Sequence, residues 1–208
     1  MSSELPVLTW FFGLKKTIET NFFDTRVYFM TEQDDVVLVQ QTLAGNLKAF
    51  EVVVDRYQKT VYNLAVNMVH DADDAEDIAQ AVFLKAFEHL RSYNAEYRFF
   101  SWLYRIAMNE SLNFLRQRRP FGRMEEAKES DALSEEVEAS EIVREVNDAL
   151  TELSVEQRAV VVLKHLEGFS YVEIGQILNI TEKKVKSRLF SARQVLRNIL
   201  VKKGMGIL

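Results

Sequence analysis

The chain has 208 residues, of which 48% are hydrophobic and 27% charged, a balance typical of a globular protein rather than a disordered one. It contains no cysteine, which excludes disulfides, thiolate metal sites and thiol catalysis. Its formal net charge is −5, but the charges are distributed unevenly along the chain. Because only two prolines and seven glycines interrupt long helical patterns, we predict an all-α fold.

Residues 1–30 are aromatic-rich, and we predict an N-terminal extension of unknown role, with Met30 as a candidate natural start. Charged side chains such as Lys15, Lys16 and Asp24 interrupt the apolar stretch, so it cannot span a bilayer. The lysines follow an aromatic cluster, whereas a signal peptide has its basic residues first. We therefore predict a cytoplasmic protein without membrane insertion.

Residues 31–120 are predicted to form a first helical domain, which begins at an N-cap, Thr31. After Gly45-Asn46, apolar residues recur at spacings of three and four, which predicts a long amphipathic helix. The acidic run 71–77 opens the next helix, where carboxylates oppose the positive helix end. It lacks the glycine and the final glutamate of a calcium loop, so we predict no metal site there.

A fourth helix is predicted from about Phe99 to Arg118. At about 100° per residue, one narrow stripe of this helix is polar and basic while another is apolar. The polar stripe contains Trp102, Arg105, Asn109 and Arg116. Guanidinium groups for phosphates, a π-face for stacking and an amide for base edges suit single-stranded DNA. The alternative is that Trp102 fills the core and the arginines form an ordinary solvated surface.

Residues 121–144 are predicted to form a flexible acidic linker between two basic modules. Between Met124 and Glu145, nine acidic side chains oppose only Lys128 and Arg144. Arginines cluster just before this segment, and lysines and arginines crowd the C-terminus. This segregation predicts two separate contacts with a polyanion.

Residues 145–203 are predicted to form a second helical domain, followed by a tail at 204–208. A helix ending at Leu178, a left-handed turn at Asn179 and a new helix capped by Thr181 are typical of a helix-turn-helix. The outward face of the new helix carries hydroxyl groups for base edges and lysines for phosphates, as a recognition helix requires. The alternative is a basic amphipathic helix that enters no groove.

Three stretches resemble bacterial sigma factors of the extracytoplasmic-function (ECF) type, and together the resemblance covers nearly all of positions 34–203. Residues 74–87 are similar to the core-polymerase-binding helix, and residues 100–110 to the promoter-opening helix. Residues 168–178 and 185–193 are similar to the helix-turn-helix. The resemblance implies a non-enzymatic subunit without cofactors that brings RNA polymerase to particular promoters and helps to open them.

The resemblance also implies partners and roles for individual residues. The first domain would dock on the β′ clamp helices of core RNA polymerase through Asp77 and Gln80, with Phe83 supporting their helix. The second domain would bind the β flap, and an anti-sigma factor is a further implied partner. Residues implied for the minus-10 promoter element are Tyr97, Phe100, Trp102, Arg105, Asn109 and Arg116. Residues implied for the minus-35 element are Lys183, Lys184, Lys186, Ser187, Arg188, Phe190 and Ser191.

The chain departs from the family pattern at three places. Ala81 stands where relatives often carry glutamate, and Glu182-Lys183-Lys184 replaces a commoner small-residue start of the recognition helix. Ser191 occupies a position where many relatives have an arginine that reads guanine. Ala81 implies that one polymerase contact is missing, the Glu182-Lys183-Lys184 start adds charge at the groove entrance, and Ser191 leaves the minus-35 consensus open.

Two other classes of protein were weighed. In a transcriptional regulator, residues 145–203 would bind operator DNA without polymerase, and residues 31–120 would dimerise or sense a signal; a helix-turn-helix alone does not exclude this. An enzyme would need a catalytic constellation, but the sequence has no nucleophile motif, glycine-rich phosphate loop or paired metal ligands.

Overall fold

The computed structural model describes residues 32–118 and 148–202, which lie in two separate compact units. Within these ranges the regular elements are helical and no β-strand occurs, which confirms the all-α prediction with two helical domains. The predicted N-terminal extension, the Thr31 cap, the acidic linker 121–144 and the tail 204–208 lie outside the described residues.

Within residues 32–118, the first unit has four α-helices, with α2 packed against each of the other three. They are α1 (Glu32–Leu43), α2 (Leu47–Val69), α3 (Ala72–Glu88) and α4 (Phe99–Gln117), with a short 3₁₀ turn (Leu90–Ser92) after α3. The buried stripe of α2 comprises Ala49, Val53, Tyr57, Val61, Leu64, Ala65 and Met68. Each fully buried aliphatic side chain contributes about 1.5–3 kcal/mol through the hydrophobic effect, so this stripe organises the core.

Local signals in the sequence set the boundaries of these helices. Gly45 adopts φ 99°, a left-handed conformation that ends the α1 segment and turns the chain into α2. Asp71 caps α3, because its side chain accepts a hydrogen bond from the backbone N–H of Asp74 at 3.0 Å. The acidic run therefore starts a helix, as predicted.

A buried carboxylate joins α1 to α2. Asp35 is only 1% exposed, and it accepts hydrogen bonds from Tyr57 Oη and Arg56 Nη1, each at 2.5 Å. Burial raises the pKa of the Asp35 carboxyl, while the hydrogen bonds from Tyr57 and Arg56 oppose that rise. Asp35 thus does more than favour the helix start, which is all that its position in the sequence indicated.

The second unit contains the helix-turn-helix. Residues 148–151 are helical, and α5 (Val155–Val161), a π-helical turn (Val162–Leu166), α6 (Tyr171–Leu178) and α7 (Glu182–Lys202) follow. Ser154 with Gln157, and Ser170 with Glu173, form capping boxes at the starts of α5 and α6. The buried Arg158 donates hydrogen bonds to the carbonyl oxygens of Leu150 and Thr151, at 2.9 and 3.1 Å.

The turn between α6 and α7 has the predicted form. Asn179 is left-handed, with φ 52° and ψ 49°, and its backbone N–H donates to the carbonyl oxygen of Gly175. The Thr181 hydroxyl accepts a hydrogen bond from the backbone N–H of Lys184 at 3.3 Å. The apolar residues that hold α6 and α7 in place are Ile174, Ile177, Val185, Leu189, Ala192 and Leu196.

His165 should make the stability of the second unit depend on pH. Burial, together with the nearby charges of Arg193 and Lys164, lowers the pKa of His165 from 6.5 to about 4. Between these two values the unfolded chain binds a proton that the folded chain does not. The free energy of unfolding should therefore fall as the pH drops through this window, by up to about 3 kcal/mol.

Urea unfolding of the full chain, measured at several pH values between about 4 and 7.5, checks this expectation. Replacing His165 with glutamine should remove most of the loss on acidification, whereas replacing the exposed His89 with glutamine should not. An unchanged pH dependence in the His165→Gln variant would show that other groups control acid unfolding.

Candidate functional site

The outer face of α3 carries the residues predicted to bind polymerase. Asp77 and Gln80 are exposed, and Phe83 is 9% exposed and packs into the core, as expected for a residue that supports the helix. Leu84 lies on the same outer face as Asp77 and Gln80 because it follows them by seven and four positions. It is 61% exposed, so the face combines polar groups with an apolar one that the sequence interpretation missed.

Two ion pairs hold α3 and α4 together beside this face. Lys85 Nζ lies 2.6 Å from Glu110 Oε2, and Arg118 pairs with Asp74 at the opposite end of α3. These partners are 25 and 44 residues apart in sequence, so only the fold reveals the pairs. They brace α3, which carries the residues predicted to bind polymerase, against α4, which carries residues predicted to contact DNA.

The polar stripe of α4 is on the surface. Arg105, Asn109 and Arg116 are exposed, whereas Leu103 and Ala107 on the other side are buried. Trp102 is half-buried. Its ring packs against Tyr93 and Phe99, with centroids 5.7 and 5.5 Å apart, so it fills the edge of the core and also borders the exposed stripe.

The loop before α4 is held by internal hydrogen bonds. Tyr93 Oη donates to the carbonyl oxygen of Tyr97 at 2.7 Å, and Asn94 Oδ1 accepts from the backbone N–H of Glu96 at 3.0 Å. Tyr97 is 59% exposed, whereas Phe100 is 8% exposed and packs against Tyr104 at 4.2 Å between ring centroids. The predicted DNA contact at Phe100 would thus have to act through the loop that this residue anchors.

The outward face of α7 presents most of the predicted minus-35 residues. Lys183, Lys184, Lys186, Ser187, Phe190 and Ser191 are exposed, and Arg188 is half-buried. Residues two positions apart on a helix are about 200° apart, so Lys184 and Lys186 lie on opposite flanks of this face. Lys186 Nζ is 2.6 Å from Glu182 Oε1, and this hydrogen bond is the main cause of the raised pKa of Lys186.

The sequence interpretation also missed the close contact between Gly175 and the turn that follows α6. A Cβ on Gly175 would lie 2.8 Å from the carbonyl oxygen of Ile180, so a side chain cannot be added there without displacing the backbone. A glycine inside the predicted helix was the only available signal. This contact holds the turn close against α6, two residues before α7 begins at Glu182.

The described ranges offer no metal site and no membrane span. They contain no group of three or more histidine, aspartate or glutamate side chains arranged to hold a metal ion. None of their helices combines the length and apolar character needed to cross a membrane.

Comparison with known proteins matches both units to one family. The family model for Sigma-70 region 2 matches residues 53–121, and that for Sigma-70, region 4 matches residues 144–196. RNA polymerase sigma-H factor of Pseudomonas aeruginosa is 33% identical, covering 82% of this chain and 96% of the relative. The ECF RNA polymerase sigma-E factor of Escherichia coli K12 is 34% identical, covering 81% and 96%.

A solved structure shows the same similarity. CnrH in complex with the cytosolic domain of CnrY has a TM-score of 0.63 and 26% identity, and the match covers 81% of this chain and 97% of that one. The matches to region 2 and region 4 occur in the same order as the two helical units described above. The chain therefore belongs to the ECF family of RNA polymerase sigma factors.

Proposed function

We propose that this sigma factor binds core RNA polymerase, directs it to particular promoters and promotes DNA melting, and that it has no catalytic activity of its own. The observation that carries the proposal is the presence, in one chain, of a region 2 unit with an exposed basic stripe and a region 4 unit with a helix-turn-helix. An operator-binding regulator would account for the second unit but not for the first.

The first unit, residues 31–120, would serve as the polymerase-binding and minus-10 domain. Asp77 and Gln80 offer a carboxylate and an amide on an exposed helix face, with Leu84 as an apolar neighbour. Such a mixture of one apolar anchor with polar groups suits a protein partner, and we assign it to the β′ clamp helices. The α4 stripe and the Tyr97 loop then take the non-template strand of the minus-10 element.

The second unit, residues 145–203, would bind the minus-35 element as duplex DNA and contact the β flap. The centre of the α7 face carries Ser187 and Ser191, whose hydroxyls can donate to or accept from base edges. Lysines on the flanks suit the phosphates on either side of the major groove. In this proposal the hydroxyl groups select the base sequence, and the lysines attract DNA of any sequence.

We also propose that the chain acts in the cytoplasm and is regulated by a protein that binds it. CnrH forms a complex with the cytosolic domain of CnrY, and CnrH is similar over 81% of this chain. A comparable anti-sigma factor for this chain would cover surfaces that polymerase or promoter DNA otherwise uses.

Reconstituted transcription tests the proposed function. The purified chain is mixed with core polymerase from its native host and genomic DNA, and the 5′ ends of the transcripts are sequenced. Start sites that share upstream elements and require the chain would support the proposal. Failure to co-elute with this core enzyme would overturn it.

Replacing Asp77 and Gln80 together with alanine should weaken association with core polymerase by about tenfold to a hundredfold, the range expected when contacts near an interface centre are truncated. Both side chains are exposed, so thermal unfolding should change little. Glu76→Ala is the matched control, since Glu76 is exposed on the same helix about 100° away from Asp77. Equal retention of the double variant and the control on immobilised core enzyme would contradict the assignment.

A further inference from the structure

The two lysines that flank the α7 recognition face have different surroundings. Lys186 Nζ lies 2.6 Å from Glu182 Oε1 and 5.6 Å from the centroid of the Tyr171 ring. Lys184 lies on the opposite flank, exposed, and its backbone N–H is bound by the Thr181 cap. The sequence predicted equivalent phosphate contacts for both lysines. In the structure, however, the Lys186 ammonium is paired with the Glu182 carboxylate of the same chain.

Glu182 stands at the first position of α7, within one of the three departures from the family pattern. Four positions separate it from Lys186, which places the two about 40° apart on the helix. They therefore share a flank of the recognition face, while Ser187 and Phe190 lie nearer its centre. On a helix in the major groove, the flanks are the parts nearest the phosphate strands.

A carboxylate in this position affects DNA binding more than folding. The side chains of Glu182 and Lys186 are 46% and 56% exposed, and a solvent-exposed ion pair of this kind contributes little to stability. A DNA phosphate that approached Lys186 would have to displace the carboxylate or lie beside it. Either event reduces the attraction between this flank and DNA, whatever the base sequence.

A second cation stands near the same ring. Lys164 Nζ lies 5.0 Å from the Tyr171 centroid and donates a hydrogen bond to the carbonyl oxygen of Phe169 at 3.0 Å. Two ammonium groups close to one aromatic ring repel each other, and the Glu182 carboxylate offsets part of that repulsion. This flank thus carries two cations, Lys164 and Lys186, and in the free protein Glu182 supplies the anion beside them.

We propose that Glu182 is a positioning residue that occupies Lys186 in place of a DNA phosphate and thereby limits the affinity of this sigma factor for duplex DNA. This inference rests on the proposed binding of α7 to the minus-35 duplex. Lys184 then supplies phosphate attraction in full, whereas Lys186 supplies little until the carboxylate is removed. Glu182 weakens binding to all sequences alike, which makes stable engagement depend more on the polymerase that carries the sigma factor.

A double-mutant cycle on the full chain tests this proposal. Binding is measured by fluorescence anisotropy on two labelled duplexes, a promoter fragment identified by transcription and a scrambled version, between about 50 and 200 mM salt. Glu182→Gln should tighten binding to both duplexes by about threefold to tenfold and steepen the slope of log K against log salt by about one unit. Glutamine keeps the size of the side chain but not its charge.

The lysine variants show whether Glu182 acts through Lys186. Lys186→Ala should change affinity little in the wild-type background, yet it should cancel the gain of the Glu182→Gln variant. Lys184→Ala should weaken binding in both backgrounds and reduce the slope by about one unit. Circular dichroism spectra should be the same for all variants and unfolding midpoints should change little, since every altered side chain is exposed.

Three outcomes would overturn the inference. Glu182→Gln could leave both affinity and slope unchanged, Lys186→Ala could weaken the wild type as much as Lys184→Ala does, or Glu182→Gln could change the preferred base sequence without raising affinity for the scrambled duplex. If the wild-type chain with core polymerase fails to initiate at any promoter, it is the proposed function that fails. Normal initiation combined with any of these three outcomes removes only the role assigned to Glu182.

Discussion

Replacing Asn109 with alanine should leave the closed promoter complex intact and reduce the open complex by about tenfold or more. Asn109 is exposed on the polar stripe of α4, between the exposed Arg105 and Arg116. We assign this stripe to the unpaired bases of the minus-10 element, which are present only after the duplex has melted. Loss of a specific base contact costs about 1–3 kcal/mol, which corresponds to a factor of about five to a hundred and fifty.

Permanganate reactivity of unpaired thymines measures the open complex, and gel mobility of the holoenzyme with promoter duplex measures the closed one. Gln58→Ala provides a matched control, because Gln58 is another exposed amide in the same unit, on α2. A template with a pre-melted bubble should restore transcription by the Asn109→Ala variant. Trp102→Ala is less informative, since Trp102 also packs against Tyr93 and Phe99.

Normal promoter opening by Asn109→Ala would show that the α4 stripe is ordinary surface. A defect that persists on the pre-melted template would also contradict the assignment, because it would place the role of Asn109 after strand separation. The two templates therefore separate strand capture from later steps of initiation.

Replacing Gly175 with alanine should destabilise the helix-turn-helix by about 2–3 kcal/mol, a large effect for the addition of one methyl group. The new Cβ would lie 2.8 Å from the carbonyl oxygen of Ile180. The backbone is already constrained at both residues. The carbonyl oxygen of Gly175 accepts hydrogen bonds from the backbone N–H groups of Asn179 and Ile180, the latter at 2.9 Å. Relieving the clash would therefore disturb the turn that orients α7.

Thermal unfolding of the full chain should show a lower transition for the second unit, and binding to the minus-35 duplex should decrease with it. Association with core polymerase through α3 should persist, since α3 belongs to the other unit. The neighbouring Gln176 is exposed, so Gln176→Ala should change neither transition nor binding appreciably. Unaltered stability of Gly175→Ala would mean that the turn relaxes easily and that glycine is not required.

The helices and their buried faces could be predicted from the sequence because both depend on neighbours within a few residues. Val53, Tyr57, Val61 and Leu64 recur at three- and four-residue spacings, and the structure buries all of them. The turn at Asn179 was predictable for the same reason, because few residues other than glycine adopt a left-handed conformation readily. Motif order along the chain then indicated the family that the comparisons confirmed.

Contacts between distant residues could not be predicted in this way. Asp35 looked like one of several acids at a helix start, and only the packing of α1 on α2 brings it to Tyr57, 22 positions away, and buries it. The family resemblance implied that Phe100 contacts the minus-10 element, yet its side chain is buried in the core. The four-residue spacing on α7 allowed an ion pair between Glu182 and Lys186. Helical periodicity alone, however, does not predict which nearby cation a carboxylate will pair with.

Local spacing and the order of motifs are therefore enough to predict the helical class, the faces of the helices, the turn at Asn179 and the family. Packing in three dimensions settles which polar groups are available to a partner and which are bound by other groups of the same chain. It left Asn109 exposed, buried Asp35 and paired Lys186 with Glu182. Burial, ion pairing and close backbone contacts depend on distances between groups that can be far apart in sequence. Side-chain rotamers and the packing of the helices fix those distances.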